Sequence, residues 1–305
     1  MKNYKLSGII SVAVMGLALM NFASCSEKKF KVNGTITQAK DSILYLENMS
    51  LSGPRTVDSV KLDESGNFEF SYKAAPAPEL YRLRIANQIV NIGVDSTETI
   101  NVKAAYPTMS SNYEVSGSEE CAKIRELAYM QLALQNKVTA IANSNSLGVA
   151  AVEDSVAKVL DGYKNKVKLD YIFKEPMKAY AYYALFQTVQ LGNANMLIFN
   201  PRSNKEDVKV FAAVATSWDT YFPEAERGLN LHNIAIEGMK NVRIAESNAR
   251  QTISADKVQV AGLIDIALTD NHGRVRKLSD LKGKVVLLDF HAFAAEGSLK
   301  RIMMM

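Results

Sequence analysis

The spacing of apolar and polar residues divides the chain into three regions of different secondary structure. Between residues 30 and 117, short alternating runs such as Glu79–Ile85 are separated by turn residues. Strands of this length, spaced about eight to twelve residues apart, are typical of an antiparallel sandwich or barrel. Asp58–Tyr72 has the pattern of a hairpin with a turn at Gly66. We therefore predict an all-β domain over residues 30–117.

From Glu119 to about residue 250 the apolar period becomes helical. Apolar residues recur every three or four positions, first from Ile124 onward and again from Val152 onward. After Pro176 the pattern predicts a tyrosine-rich helix over residues 179–191, followed by helices over Asp207–Tyr221 and from Pro223 to about residue 248. We predict a helical bundle over residues 119–250, in which the tyrosines of residues 180–183 are packing positions.

The strand pattern returns from about residue 258. Residues 264–281 have the pattern of a hairpin with its turn at residues 271–273, and four consecutive apolar residues follow at Val285–Leu288. A short, uninterrupted apolar run of this kind is typical of a strand buried on both faces of a parallel sheet. The expected fold class is therefore α+β: an antiparallel β-sandwich or barrel, a central helical bundle and a C-terminal α/β segment over residues 258–305.

The C-terminal segment resembles the thioredoxin superfamily. The run LKGKVVLLDF, Leu281–Phe290, is similar to the first core strand of its TlpA-like and AhpC/TSA branch, where Trp-Ala-x-Trp-Cys-x-x-Cys follows. That motif places Ala295 and Ser298 on the two cysteines, and Asp289 on the family's buried, proton-accepting Asp. The resemblance implies the beginning of a thioredoxin-like domain. A complete fold of this kind needs roughly a hundred residues, so the segment is expected to be incomplete.

The residues at this degenerate motif cannot perform thiol–disulfide exchange. Exchange requires a thiolate attacking through a mixed disulfide, and neither Ala295 nor Ser298 supplies one. Glu296 also adds negative charge where a thiolate would lie. We expect a redox-inactive protein that acts in binding or interaction. The alternative is a thiol–disulfide oxidoreductase or peroxiredoxin-type protein represented by a truncated chain.

The first two regions also resemble known parts of envelope proteins. Phe30-x-Val-x-Gly34, Gly66-x-Phe68-x-Phe70, Pro78–Tyr81 and Val115–Ser118 together are similar to an all-β domain of unknown function. This domain precedes thioredoxin-like domains in many envelope lipoproteins, and the resemblance implies no catalytic residue. The helical region is similar to the insertion found between the two domains. That similarity implies a spacer, or a contact with a protein partner or a second copy of the chain.

The N-terminus resembles a bacterial lipoprotein signal. Lys2 and Lys5 precede the apolar segment Leu6–Met20, and small residues lead into Cys25. The resemblance implies a signal peptide over residues 1–24, lipidation at Cys25 and a polar tether over residues 25–29. The protein is then expected in the cell envelope of a Gram-negative bacterium, anchored to the membrane on the periplasmic side or at the outer-membrane surface. An ordinary signal peptide or an uncleaved anchor are the alternatives.

Composition excludes several other functions. The net charge of +4 is spread along the chain without a basic stripe, so we expect no nucleic-acid partner. The three histidines lack metal-ligand spacing, and no phosphate or nucleotide motif is present, so we expect no metal and no cofactor. If Cys25 is acylated, Cys121 is the only free thiol and no intramolecular disulfide can form. Cys121 is either activated by a helix N-terminus or simply packed.

Overall fold

The computed structural model describes residues 28–144, 148–250 and 265–286, without the side chains of residues 249 and 250. The chain separates into two compact units, one ending at Glu246 and the other beginning at Ser247. The fold is α+β, as the sequence predicts. Among the described residues, none of the helices has both the length and the apolar character needed to cross a membrane.

Eight strands between residues 29 and 116 form two four-stranded sheets. They are β1 (Lys29–Thr37), β2 (Ile43–Ser50), β3 (Gly53–Lys61), β4 (Asn67–Lys73), β5 (Glu79–Ile85), β6 (Gln88–Val94), β7 (Thr99–Ala105) and β8 (Tyr113–Ser116). Sheet A has the strand order β4-β1-β7-β8, and sheet B has the order β3-β2-β5-β6. The pairings are antiparallel except for β1 and β7, which pair in parallel.

The two sheets share one apolar core, because alternate side chains of each strand point toward it. Val32 on β1 lies beside Phe70 on β4 and Ile100 on β7, and all three are buried. Gly34, two residues further along β1, has φ +146°, and a Cβ atom there would overlap the carbonyl of Val102. The glycine in the Phe30-x-Val-x-Gly34 pattern is therefore required by the close approach of β1 and β7.

Five helices follow the sheets in the described part of the chain. They are α1 (Glu119–Ala142), α2 (Val149–Val167), α3 (Ala179–Leu185), α4 (Lys205–Tyr221) and α5 (Glu226–Arg250), and a π-helical turn at Lys168–Ile172 extends α2. Buried residues of these helices form a second apolar core centred on Trp218 and Phe211.

The helix predicted over residues 179–191 is wrong in its second half. Helix α3 ends at Leu185, and strands β9 (Thr188–Leu191) and β10 (Ala194–Leu197) form an antiparallel hairpin. Gly192 turns this hairpin with φ +58°, a backbone conformation that favours glycine. Backbone groups on the other edge of β9 bond to α1, where Gln131 Nε2 donates to the Thr188 carbonyl at 2.7 Å. Tertiary hydrogen bonds of this kind override the helical period.

In the second unit, residues 265–286 contain the predicted hairpin. Strands β11 (Ala267–Thr269) and β12 (Val275–Lys277) pair antiparallel, and a 3-10 turn follows at Leu278–Leu281. Asp270 holds the connecting turn, because its carboxylate accepts the backbone N–H groups of His272 and Arg274. Most of the predicted core strand that begins at Val285 lies outside the described residues.

Replacing Gly34 with alanine should destabilise the first unit by about 2–4 kcal/mol, because the new methyl group meets backbone and the φ angle disfavours L-residues. The measurement is urea unfolding followed by circular dichroism. Gly162, in the interior of α2, is the matched control, since a Cβ atom there meets open space. Gly162→Ala should raise stability by about 0.5–1 kcal/mol. Equal effects of the two substitutions would contradict the close β1–β7 approach.

Candidate functional site

The outer face of sheet B is where the β region meets the helices. Leu80 on β5 and Gly93 on β6 lie opposite each other on this face. A Cβ atom at Gly93 would lie 2.7 Å from Ile124 Cδ1 of α1 and 3.2 Å from Ala179 Cβ of α3. The missing side chain therefore lets both helices approach the sheet closely.

A buried arginine from α5 joins the helices to this face. The Arg227 side chain is only 6% exposed, and its Nε and Nη2 atoms donate to the Glu79 carboxylate of β5 at 3.2 and 2.8 Å. Nη2 also donates to the Met49 carbonyl of β2, and the guanidinium lies 5.0 Å from the centre of the Tyr182 ring. Burial alone would lower the pKa of Arg227, but the Glu79 carboxylate outweighs it and the pKa is raised.

A cavity of about 240 Å³ lies beside this ion pair, at the seam between sheet B and helices α3 and α5; we call it the seam cavity. Its lining residues are Met49, Leu80, Tyr81, Asn91, Tyr182, Tyr183, Phe186 and Arg227. The walls are largely aromatic and carry a few polar groups, as in small-molecule sites generally. A cavity of about 150 Å³ already holds a benzene-sized molecule, so the seam cavity can take one substituted ring.

The polar side of the seam cavity is held by a buried hydrogen-bond network. Asn91 Nδ2 donates to the Tyr183 hydroxyl at 3.2 Å. Burial raises the pKa of Tyr183, while its hydrogen bonds to Gln187 and Asn91 act in the opposite direction. Gln187 in turn accepts the Tyr163 hydroxyl at 2.6 Å and donates to the Leu127 carbonyl at 3.1 Å. The Asn91 and Tyr183 side chains are therefore fixed in place before any ligand binds.

A second polar cluster, in which Glu120 is buried and Lys178 and Asp95 are partly exposed, lies where α1 and α3 begin. Glu120, in the first turn of α1, accepts the Tyr180 backbone N–H at 3.1 Å and the Lys178 ammonium at 3.3 Å. Lys178 also bonds to Asp95 at 2.9 Å. Burial raises the pKa of Glu120 to about 7, and the contacts with Tyr180 and Lys178 only partly oppose this. This carboxyl group therefore changes protonation near neutral pH.

The structure favours the packed alternative for Cys121. The side chain is buried in the core between the sheets, and Sγ donates to the Gly93 carbonyl at 3.2 Å. Although Cys121 lies in the first turn of α1, burial raises the pKa of its thiol to about 12. A thiol held in this way is not a nucleophile at neutral pH.

The other sequence-predicted site residues lie partly outside the described part of the chain. Cys25, Asp289, Ala295 and Ser298 lie outside the described residues, so their roles stay predictions. His232 lies on α5 beside Asp219, and His272 lies in the turn of the second unit. Across the parts of the chain that the structure describes, no three His, Cys, Asp or Glu side chains are placed to hold a metal ion.

The sequence pattern indicates some residues of the seam cavity and gives no sign of others. Tyr182 and Tyr183 were predicted as packing residues between helices, whereas here they also face sheet B across the cavity. Arg227 and Gln187 were missed, because nothing near either residue in the sequence indicates a partner. The only available signal was the segment Pro78–Tyr81, part of the resemblance to the β domain, which contains Glu79.

The architecture is that of a β domain covered by helices, and comparison with known families agrees for the β part. The family profile described as Domain of unknown function (DUF4369) matches residues 30–123. The match covers both sheets and extends into the first turns of α1, where Glu120 and Cys121 contact the sheets. No curated protein matches the chain.

The pKa of Glu120 predicts a pH dependence of stability. Between about pH 4.5 and 7 the folded state keeps a proton that the unfolded state releases, so stability is highest below this window and falls as pH rises through it, by up to about 3 kcal/mol. Glu120→Gln should remove this slope. Urea unfolding at a series of pH values measures it, with the exposed neighbour Glu119→Gln as control. An identical slope in wild type and Glu120→Gln would refute the assignment.

Proposed function

We propose that this protein is a lipid-anchored protein of the cell envelope that acts by binding, and that the seam cavity is its ligand site. The observation that carries the proposal is the cavity itself: aromatic walls and a prearranged Asn91–Tyr183 pair at the junction of two cores. The burial of Cys121, with its raised thiol pKa, argues against thiol catalysis by this residue.

The proposed anchoring and family relationship rest on the sequence. Cys25 follows a basic and apolar leader of the lipoprotein type, and the β domain resembles those that precede thioredoxin-like domains in envelope lipoproteins. Ala295 and Ser298 at the two cysteine positions support a redox-inactive thioredoxin-like segment. In this proposal the protein retains the architecture of a thiol–disulfide oxidoreductase family and uses it for interaction with a ligand or protein partner.

The lining of the seam cavity indicates the chemistry of its ligand. Arg227 brings a positive charge, but Glu79 neutralises it at 2.8 Å, so the cavity offers no net charge to an ion. The other lining groups are aromatic rings, the apolar side chains of Met49 and Leu80, a carboxamide and hydroxyls. They suit an uncharged ring that carries one hydrogen-bonding group. Such a ring is present in a small aromatic molecule or in a tyrosine side chain offered by a partner protein.

p-Cresol, which has the ring and hydroxyl of tyrosine, should bind to the full-length protein in saturation-transfer NMR. Asn91→Leu should weaken this binding about three- to tenfold, because one hydrogen bond to the ligand or to Tyr183 is lost. Asn101→Leu is the matched control: Asn101 bonds to Asn33 on sheet A at 2.9 Å, away from the cavity. Failure of p-cresol to bind, or equal weakening by both substitutions, would contradict the proposed site.

The anchor is tested separately by Cys25→Ser. In a Gram-negative host the wild-type protein should incorporate a palmitate analogue and partition into the detergent phase, because the acyl chains supply the membrane affinity. The Cys25→Ser variant should incorporate no label. Cys121→Ser serves as the control for labelling at the other cysteine and should remain fully labelled. Label that persists in Cys25→Ser would rule out lipidation at this residue.

A further inference from the structure

A second concave surface lies between helices α1 and α2, separate from the seam cavity. It encloses about 400 Å³, and its lining residues are Met130, Ala133, Leu134, Lys137, Lys158, Val159, Gly162, Tyr163 and Lys166. Leu134 and Tyr163 are buried at its base, with Met130 and Val159 half-buried beside them. We call this surface the lysine groove, because three lysines and no acidic residue belong to its lining.

Gly162 keeps the lysine groove open. It lies in the interior of α2, where glycine is unfavourable relative to alanine. No atom lies within 4 Å of the position that its Cβ would occupy, so neither packing nor backbone conformation requires a glycine here. The small side chain of Ala133 lies across the groove on α1. What the glycine provides is empty space over an apolar base.

The length of the lysine groove limits what can occupy it. On α1 the lining extends from Met130 to Lys137, which is about 10 Å at the rise of an α-helix. An apolar base of this length suits a single, flexible acyl chain of medium length. A docked helix that uses anchors from i to i+7 would have the same length, so the charges at the rim decide between the two occupants.

The charges at the rim indicate the head group of that chain. Lys158 and Lys166 are held by Asp154 and Asp170, at 2.7 and 2.9 Å. Lys137 forms no ion pair or hydrogen bond within the described part of the chain, and its side chain is exposed. Lys137 can therefore pair with an anion from a ligand without giving up a partner of its own.

We propose that the lysine groove binds a medium-chain fatty acid. Its carboxylate pairs with Lys137, and its alkyl chain lies over Gly162 against Leu134 and Tyr163. The charge complementarity favours a carboxylate over a neutral or cationic head group. This site does not depend on the seam cavity or on the lipid anchor.

The test is a titration of the full-length protein with carboxyl-labelled sodium decanoate, below its micelle concentration, followed by NMR. Gly162→Leu should weaken binding about tenfold or more, because filling the groove displaces at least two methylene groups of the ligand. Ala157→Leu places the same side chain on the exposed, opposite side of α2 and should change the affinity less than about twofold. Thermal unfolding of both variants shows that each is folded, since leucine favours helix at both positions.

Head-group recognition is tested with two further probes. Lys137→Gln should weaken decanoate binding about threefold and reduce its dependence on salt, because one exposed charge contact is lost. Decanol and decyltrimethylammonium should bind to the wild-type protein at least about tenfold more weakly than decanoate. Equal binding of the three probes, or unchanged decanoate affinity in Gly162→Leu, would overturn the proposal.

Discussion

The buried amide of Gln187 is the interaction on which the helical half of the first unit depends. Removing an amide from water costs several kcal/mol unless every polar atom finds a partner, and Gln187 finds its partners on two helices. Tyr163 of α2 donates to its oxygen, and Leu127 and Gln131 of α1 accept from its nitrogen. This set of bonds fixes α1 and α2 against the end of α3. Both concave surfaces depend on this set of bonds, because Tyr163 lies at the base of the lysine groove and Tyr183 lines the seam cavity.

Buried charges serve a related role between distant segments of the chain. Arg227 and Glu79 are 148 positions apart, and Lys164 of α2 bonds to Asp207 of α4 at 2.6 Å. On sheet B, the Glu47 carboxylate forms ion pairs with both Arg82 and Arg84. Burial would raise the pKa of Glu47, but the two arginines outweigh burial and the pKa is lowered. Breaking such a pair leaves an uncompensated buried charge. We infer that these ion pairs select one arrangement of the helices on the sheets. Their net contribution to the free energy of unfolding is modest.

Much of the fold follows from local patterns, whereas the candidate site does not. The alternation of apolar and polar residues predicted the strands of the β region, and the helical period of apolar residues predicted α1, α2 and α4. Both patterns arise because one face of each element is buried against a single core. The β9–β10 hairpin was missed because its strands are four residues long and one edge is completed by glutamines of α1. The seam cavity was missed because its partners, such as Asn91 and Tyr183, are far apart in the chain. A single sequence does not record which distant polar residues meet.

The position of β1 has a mechanical consequence. This strand lies in the interior of sheet A, with β4 antiparallel on one side and β7 parallel on the other. A pulling force applied on the N-terminal side of Lys29, along the strand, loads both hydrogen-bond ladders in shear at the same time. All the bonds of a sheared ladder must yield together, whereas a peeled edge strand loses them one by one. The β domain is therefore built to resist tension at its N-terminal end, on the side of the proposed anchor.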